Sequence, residues 1–255
     1  MTIGRDQGLA PRDGLDAPSN GAGEFTFWRE HSTIALTPVA APSILGLFGF
    51  AAATFMVAAN MAGWYGNELT PLILFPFALT AGGLAQFLAG MWAYRARDAV
   101  ATGIHGMWGA FWLGYSLYWL LIAVGVLPTV ADPTASSAFG FWFVVLAAIT
   151  FVGMFAAAAD NVALTAVLLF LGAGSTLLAI ALLGGYPVFQ TIAGYILLLS
   201  AIVAWYLGSA LMLQAAFRRS VLPIGKRRVL GERSANGRSN LIQYAAGEPG
   251  IKIGQ

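Results

Sequence analysis

His105, Trp108, Trp112, Tyr115 and Trp119 follow one another at steps of three and four, a spacing that gathers them on one face of a helix. Such a face can be the wall or gate of a passage, with aromatic rings and a titratable imidazole beside them. An aromatic stripe packed against another helix or subunit gives the same pattern and is its commoner source. Histidine is the side chain most easily switched near neutral pH. A pH-sensing His105 therefore predicts that His105→Gln flattens the pH dependence of flux; a hydrogen-bonded structural histidine predicts no change. Thr54, Asn60, Gln86 and Thr102 are the polar groups expected at similar depth. Each suits interhelical hydrogen bonding as well as contact with a passing solute.

Other chemistry is poorly supplied. The chain has no cysteine and only two histidines, His31 and His105. Disulfides, thiolate chemistry and metal sites are not expected, and no cofactor is implied. No constellation of acid, base and nucleophile suggests an enzyme, and nothing suggests a nucleic-acid partner. No Asp, Glu, Lys or Arg falls in the middle of an apolar stretch; Asp98 and Asp160 stand at the ends of such stretches. A proton pump or ion-coupled carrier usually places a carboxylate at depth. Its absence points to a channel-like path, or to coupling through the substrate's own proton.

The elements that must position these residues are apolar. Of 255 residues, 58% are hydrophobic and 9% charged, where a soluble domain carries about 25% charged residues. With a mean hydropathy of +0.75, lipid must solvate much of the chain. The expected class is an all-α polytopic protein of the cell membrane. Six spans are predicted, over about Ser43–Tyr65, Leu72–Tyr94, Val100–Val126, Ala138–Ala159, Val162–Leu183 and Val188–Phe217. Pro71 is expected just outside the second span and Pro76 in its first turns. Each is long enough for a hydrocarbon core that needs about 20 helical residues. The short connections predict antiparallel neighbours. Gly46, Gly49, Gly82, Gly83, Ala89 and Gly90 suit close helix packing. The six-helix domain is expected over residues 38–225, between a polar N-terminal tail, 1–37, and a basic C-terminal tail, 226–255. The first tail has no apolar core for a signal peptide and reads as disordered. Its segment Glu24–Leu36 fits a short helix on the membrane surface or an aromatic-anchored loop. All thirteen Lys and Arg lie before the first span, between the second and third, or after the sixth. By the positive-inside rule both termini are cytoplasmic.

Two stretches are more specific: APSILGLFGFAAATF (Ala41–Phe55) at the first span and FRRSVLPIG (Phe217–Gly225) after the sixth. With GGLAQFLAGMWAY (Gly82–Tyr94) and WGAFW (Trp108–Trp112), they resemble the acetate uptake transporter family, the succinate–acetate permease group. The resemblance covers about Pro42 to Gly225, with six spans in the same places. It implies a homohexamer in the bilayer, with one path through each protomer. The implied substrates are acetate and related small mono- and dicarboxylates such as succinate, taken up with a proton or as the acid. It also implies a hydrophobic constriction formed by Phe50, Trp108 and Leu171. Pro42, Ser43 and Gly46 match the helix-start motif; Leu222, Pro223 and Gly225 match the C-terminal one. Thr54, Asn60, Gln86 and His105 would line the path, while Trp112 and Trp119 remain packing residues.

The chain also departs from the family's pattern. Where the family has Asn-Pro-Ala-Pro, this chain has Ala41-Pro42-Ser43-Ile44. The Asn that would organise the helix start is missing, and Ser43 is expected to replace it in part as an N-cap. Trp108 stands where Tyr is usual, and His105 where an apolar aromatic is. Two other functions remain compatible with the residues: a channel for ammonia, urea or short amides, and a non-transporting membrane subunit that docks a partner through its tails.

Overall fold

The structure is a computed structural model that describes residues 39–227. The N-terminal tail with His31, the segment 24–36 and the basic residues beyond Arg227 lie outside the described residues. Within them the chain is helical: α1 (Pro42–Met61), α2 (Thr70–Phe77), a π-helical segment (Ala78–Ala85), α3 (Gln86–Ala96), α4 (Ala99–Ala123), α5 (Pro133–Ala157), α6 (Val162–Gly184) and α7 (Pro187–Phe217). The stretch Thr70–Ala96 is continuous. It and α1, α5, α6 and α7 are long and apolar enough to cross a membrane by length and composition. α4 has 25 residues, about 37 Å at 1.5 Å per residue. Its histidine, tryptophans and tyrosines make it less apolar than its neighbours.

Local chemistry sets the ends. Pro42 and Pro133 occupy the first helical turns, where a missing N–H costs nothing. The side chains of Asp98, Asp132 and Asn161 accept hydrogen bonds from the first turns of α4, α5 and α6. Asp132 explains why α5 starts at Pro133, five residues before the expected Ala138. Pro71 lies inside α2 rather than outside it. α1 ends at Met61, short of Tyr65. Gly63 takes a positive φ, and Asn60 donates from Nδ2 to the Tyr65 carbonyl at 2.9 Å. Ser43 is not the N-cap expected for α1. Ala41 holds that position without a side-chain bond, because Pro42 sets the first helical turn and leaves Ser43 inside it.

Pro76 cannot donate to the preceding turn, and the pitch widens just after it. Hydroxyls serve the carbonyls around this change. Thr80 donates to Pro76 at 3.1 Å, and Ser116 of α4 donates to Phe75 at 3.1 Å. This is the usual way a broken turn is tolerated at membrane depth. Glycine then lets backbones meet. A Cβ at Gly49 would strike the Ala81 carbonyl oxygen, and one at Gly90 would sit 2.6 Å from the Gly106 nitrogen.

Around the bundle, α1 packs along α7, α7 on α6 and α6 on α5. On its other side α1 meets the π-helical segment and α3, which pack on α4. The expected pairing of sequence neighbours is weak at one seam, α4 with α5. There Phe111 meets Phe143 and Tyr118 meets Phe139, with centroids 5.3 and 4.7 Å apart. Rings of that size hold helix axes apart, whereas glycines draw them together.

The chain after α7 turns back at Arg218, which is left-handed with φ 53°. Tyr206 donates to the Pro223 carbonyl at 2.7 Å. The carbonyls of Gly225 and Ile224 accept from the N–H groups of Val162 and Ala163 at 3.0 and 3.1 Å. These are N-terminal donors of α6 that have no partner within the helix. Arg227 donates to the Asp160 carbonyl at 2.8 Å. Ile224 and Gly225 thus clasp the start of α6 while Pro223 is held by α7, and Lys226 and Arg227 belong to the fold, although the tail was expected to start at 226. Gly225 has φ +66°, and a Cβ there would lie 2.8 Å from that of Val162. Gly225→Ala is expected to cost about 1–3 kcal/mol through strain and collision. Gly185→Ala, at φ +69° in open space, is expected to cost about 1–2 kcal/mol. Thermal unfolding of the detergent-solubilised variants checks the order; equal melting of the two would contradict it.

Candidate functional site

Two cavities lie along the bundle. One, of about 230 Å³, opens at the end where both limits of the described chain lie, and Ser43, Asp98, Asp160, Asn161 and Lys226 are among its residues. The other, of about 220 Å³, lies toward the opposite end and is lined by Thr54, Trp112, Tyr115, Trp119 and Phe143 among others. We name them the termini-side and far-side cavities. Charge separates them. The far-side lining has no Asp, Glu, Lys or Arg. At the termini-side mouth the two carboxylates are engaged: Asp98 accepts from Ala101 N at 2.8 Å, and Asp160 accepts from Asn161 Nδ2 at 2.7 Å.

Phe50, Trp108 and Leu171 come together where the cavities approach. Phe50 lines the termini-side cavity, Trp108 lines the far-side one, and Leu171 lines both. Their exposures are 2%, 2% and 1%. The Phe50 and Trp108 rings meet edge to face at 6.3 Å. Trp108 also donates from Nε1 to Thr150 Oγ1 at 2.9 Å. Glycine-rich packing of α1 places Phe50 here. Leu171 arrives from α6 between Leu168 and Gly172.

Among the described residues, four buried side-chain polar atoms have no hydrogen-bond partner: Thr54 Oγ1, Gln86 Oε1, His105 Nδ1 and Trp112 Nε1. All four residues line a cavity. Gln86 and His105 belong to the termini-side one, Thr54 and Trp112 to the far-side one. A buried unpaired polar group ordinarily costs about 1–3 kcal/mol, so such groups are rare away from functional surfaces. Each cavity therefore offers hydrogen-bonding capacity that the fold itself does not use.

The other expected residues divide. Ser43 lines the termini-side cavity, and Gly46 lies under the His105 ring, where a Cβ would be 2.6 Å away. Pro42 serves the helix start. Asn60 lines the far-side cavity while its Nδ2 holds the turn after α1. Thr102 lines neither cavity. Trp112 and Trp119 were expected to be packing residues only; both line the far-side cavity. They continue the Trp108 face at i+4 and i+11, so the spacing that marked Trp108 marks them too. Thr150 carried no sequence signal, and Ile224, which lines the termini-side cavity, was marked only as part of FRRSVLPIG. No group of three or more His, Cys, Asp or Glu among the described residues could hold a metal.

Apolar helices of membrane-spanning length around two cavities with unused polar groups define a multi-pass membrane protein, and its family and relatives are transporters and channels, not enzymes. The chain belongs to the GPR1/FUN34/yaaH family, whose sequence model matches residues 25–224. It is 28% identical over 192 residues to the succinate-acetate/proton symporter SatP of Escherichia coli, covering 74% of this chain and 97% of that one. It is 27% identical to the ammonia transport outward protein 2 of Saccharomyces cerevisiae, over 65% of this chain and 58% of the relative. Identity is also 27% to acetate permease A of Emericella nidulans, over 65% of this chain and 59% of the relative. A solved structure, that of the bacterial acetate channel SatP, matches with a TM-score of 0.68 and 26% identity, over 74% of this chain and all of that one. These likenesses identify the expected acetate uptake transporter family.

Proposed function

We propose that this protein moves acetate and related small mono- and dicarboxylates across the cell membrane, from one cavity to the other past Phe50, Trp108 and Leu171. The observation that carries the reading is the placement of the four unpartnered polar atoms, two on each cavity. A hydrophobic narrowing passes small, weakly hydrated solutes and resists hydrated ions. Carboxylate desolvation is the costly step. The Thr54 hydroxyl and the Trp112 N–H are unused donors that offset it, as does protonation of the substrate, whose O–H the Gln86 oxygen can accept. The names of the relatives, two for acetate and one for ammonia, favour this substrate class.

Among the described basic residues Arg95 lies in the last turn of α3, Arg97, Arg218 and Arg219 follow the ends of α3 and α7, and Lys226, with Arg227 next to it, lines the termini-side mouth. The positive-inside bias makes that mouth cytoplasmic. The protein assembles as a homohexamer with one path in each protomer, a reading supported by the family resemblance. Large apolar side chains such as Trp92, Phe141 and Trp205 face outward and suit lipid or a neighbouring copy.

Uptake of labelled acetate, succinate, urea and methylammonium into proteoliposomes at two pH values tests the substrate class. Acetate and succinate are expected to enter and the other two to be excluded. Methylammonium entry without acetate entry would favour the ammonia reading. Acetate uptake should be faster at the lower pH, because each unit above the acid's own pKa changes the neutral fraction about tenfold. His105→Gln should keep that dependence if the substrate carries the proton. A flattened profile in the variant would move the proton to His105, which shares its cavity with Asp98, Asp160 and Lys226.

A further inference from the structure

We infer that Thr150 is a positioning residue that sets the width of the path by holding the Trp108 indole. The inference rests on the reading of Trp108 as part of the constriction. The Thr150 hydroxyl donates to the Leu146 carbonyl at 2.7 Å. Its proton is thereby directed along α5, and a lone pair is left for the indole N–H of Trp108 at 2.9 Å. Both side chains are buried, at 0% and 2% exposure. The bond crosses the seam between α4 and α5, where helix contact is sparse and large rings stand between the axes.

The geometry gives the bond a lever. Trp108 lies between Phe111, at 5.3 Å between centroids, and Phe50, at 6.3 Å, edge to face with both. Aromatic pairs of this kind tolerate a range of angles, so ring packing alone does not fix the indole. The N–H to Thr150 does, because it is directional and the surroundings are apolar. Without the hydroxyl the N–H has a buried valine methyl in front of it. The ring then turns to seek another acceptor or the far-side cavity, and its edge leaves Phe50. The aperture becomes variable instead of fixed.

Thr150→Val keeps shape and volume while removing the hydroxyl; Thr150→Ser keeps the hydroxyl. Uptake of acetate, propionate and butyrate by proteoliposomes is measured for both, with Trp108→Phe as the reference for the constriction itself. The butyrate-to-acetate ratio is expected to rise about three- to tenfold in Thr150→Val, the range for loss of one hydrogen bond. Thr150→Ser should stay at the wild-type ratio. A second readout does not depend on transport: the indole N–H resonance of Trp108 in tryptophan-labelled protein, identified by its loss in Trp108→Phe. It should shift upfield in Thr150→Val and stay in place in Thr150→Ser. A changed ratio in Trp108→Phe with an unchanged one in Thr150→Val overturns the role of Thr150 and leaves the constriction standing. An unchanged ratio in both overturns the constriction and this inference with it.

Discussion

Trp108→Ala is expected to raise the rate for butyrate and larger monocarboxylates by about tenfold or more, with a smaller rise for acetate. Tenfold corresponds to about 1.4 kcal/mol off the barrier. Removing the indole takes away one of the three side chains proposed to narrow the passage between cavities of about 230 and 220 Å³. The loss falls on solutes whose alkyl part must pass the ring, so the effect grows with chain length. Burial makes the same substitution costly to the fold, about 3–5 kcal/mol for a core tryptophan. The neighbouring cavities let solvent take up part of the space. Trp108→Leu is the milder partner variant, expected to move the cutoff in the same direction at lower cost. Flux over a series of carboxylates, beside thermal unfolding of each variant, separates the two effects. A folded Trp108→Ala protein with the wild-type size cutoff would remove the ring from the constriction.

The second large effect is expected at Gln86, and it has an unusual signature. Its Oε1 is buried without a partner on the termini-side cavity, and the side chain is 1% exposed. Gln86→Leu is close in size and removes the amide. Oε1 is an acceptor, so the partner it suits is the O–H of the protonated acid. A hydrogen bond between neutral groups contributes about 0.5–1.5 kcal/mol, so acetate flux should fall by about two- to tenfold. Stability should stay equal or rise, because the variant no longer buries an unpaired polar group. A gain in stability with a loss of activity is the mark of a group kept for function. If Gln86 were only interhelical glue, the substitution would lower the melting temperature and leave transport per folded protein unchanged. Proteoliposome uptake and a melting curve on the same preparations decide between them.

The sites differ in how far the sequence revealed them. The helices behind the six expected spans were legible to within about five residues, five of them long and apolar enough to cross a membrane, and the misses have local causes. Asp132 starts α5 early by capping it, and the Gly63 turn ends α1 early. Pro42 displaced Ser43 from the cap. The His105–Trp119 stripe was legible as one face, but its spacing could not say whether that face met lipid, a helix or a cavity. Trp112 packs beside Phe111, as a packing residue does, and its N–H also stays unpaired on the far-side cavity, which spacing could not reveal. Thr150 was invisible. A threonine in FVVLAAITFVG carries no mark of the indole that finds it 42 positions away.

The sequence by itself determined that this chain lives in a membrane, where its helices run and which residue types could line a path. It could do so because the bilayer imposes a local rule: a spanning segment needs about 20 apolar residues and must satisfy its own backbone. Only the tertiary structure decided which polar groups remain unpaired, and that they divide between two cavities meeting at Phe50, Trp108 and Leu171. The physical reason is that lipid and protein interior are alike in polarity. A helix that is apolar all round does not announce which side faces the bundle. That choice is made by close contacts, glycine against backbone and ring against ring, between residues far apart in the chain.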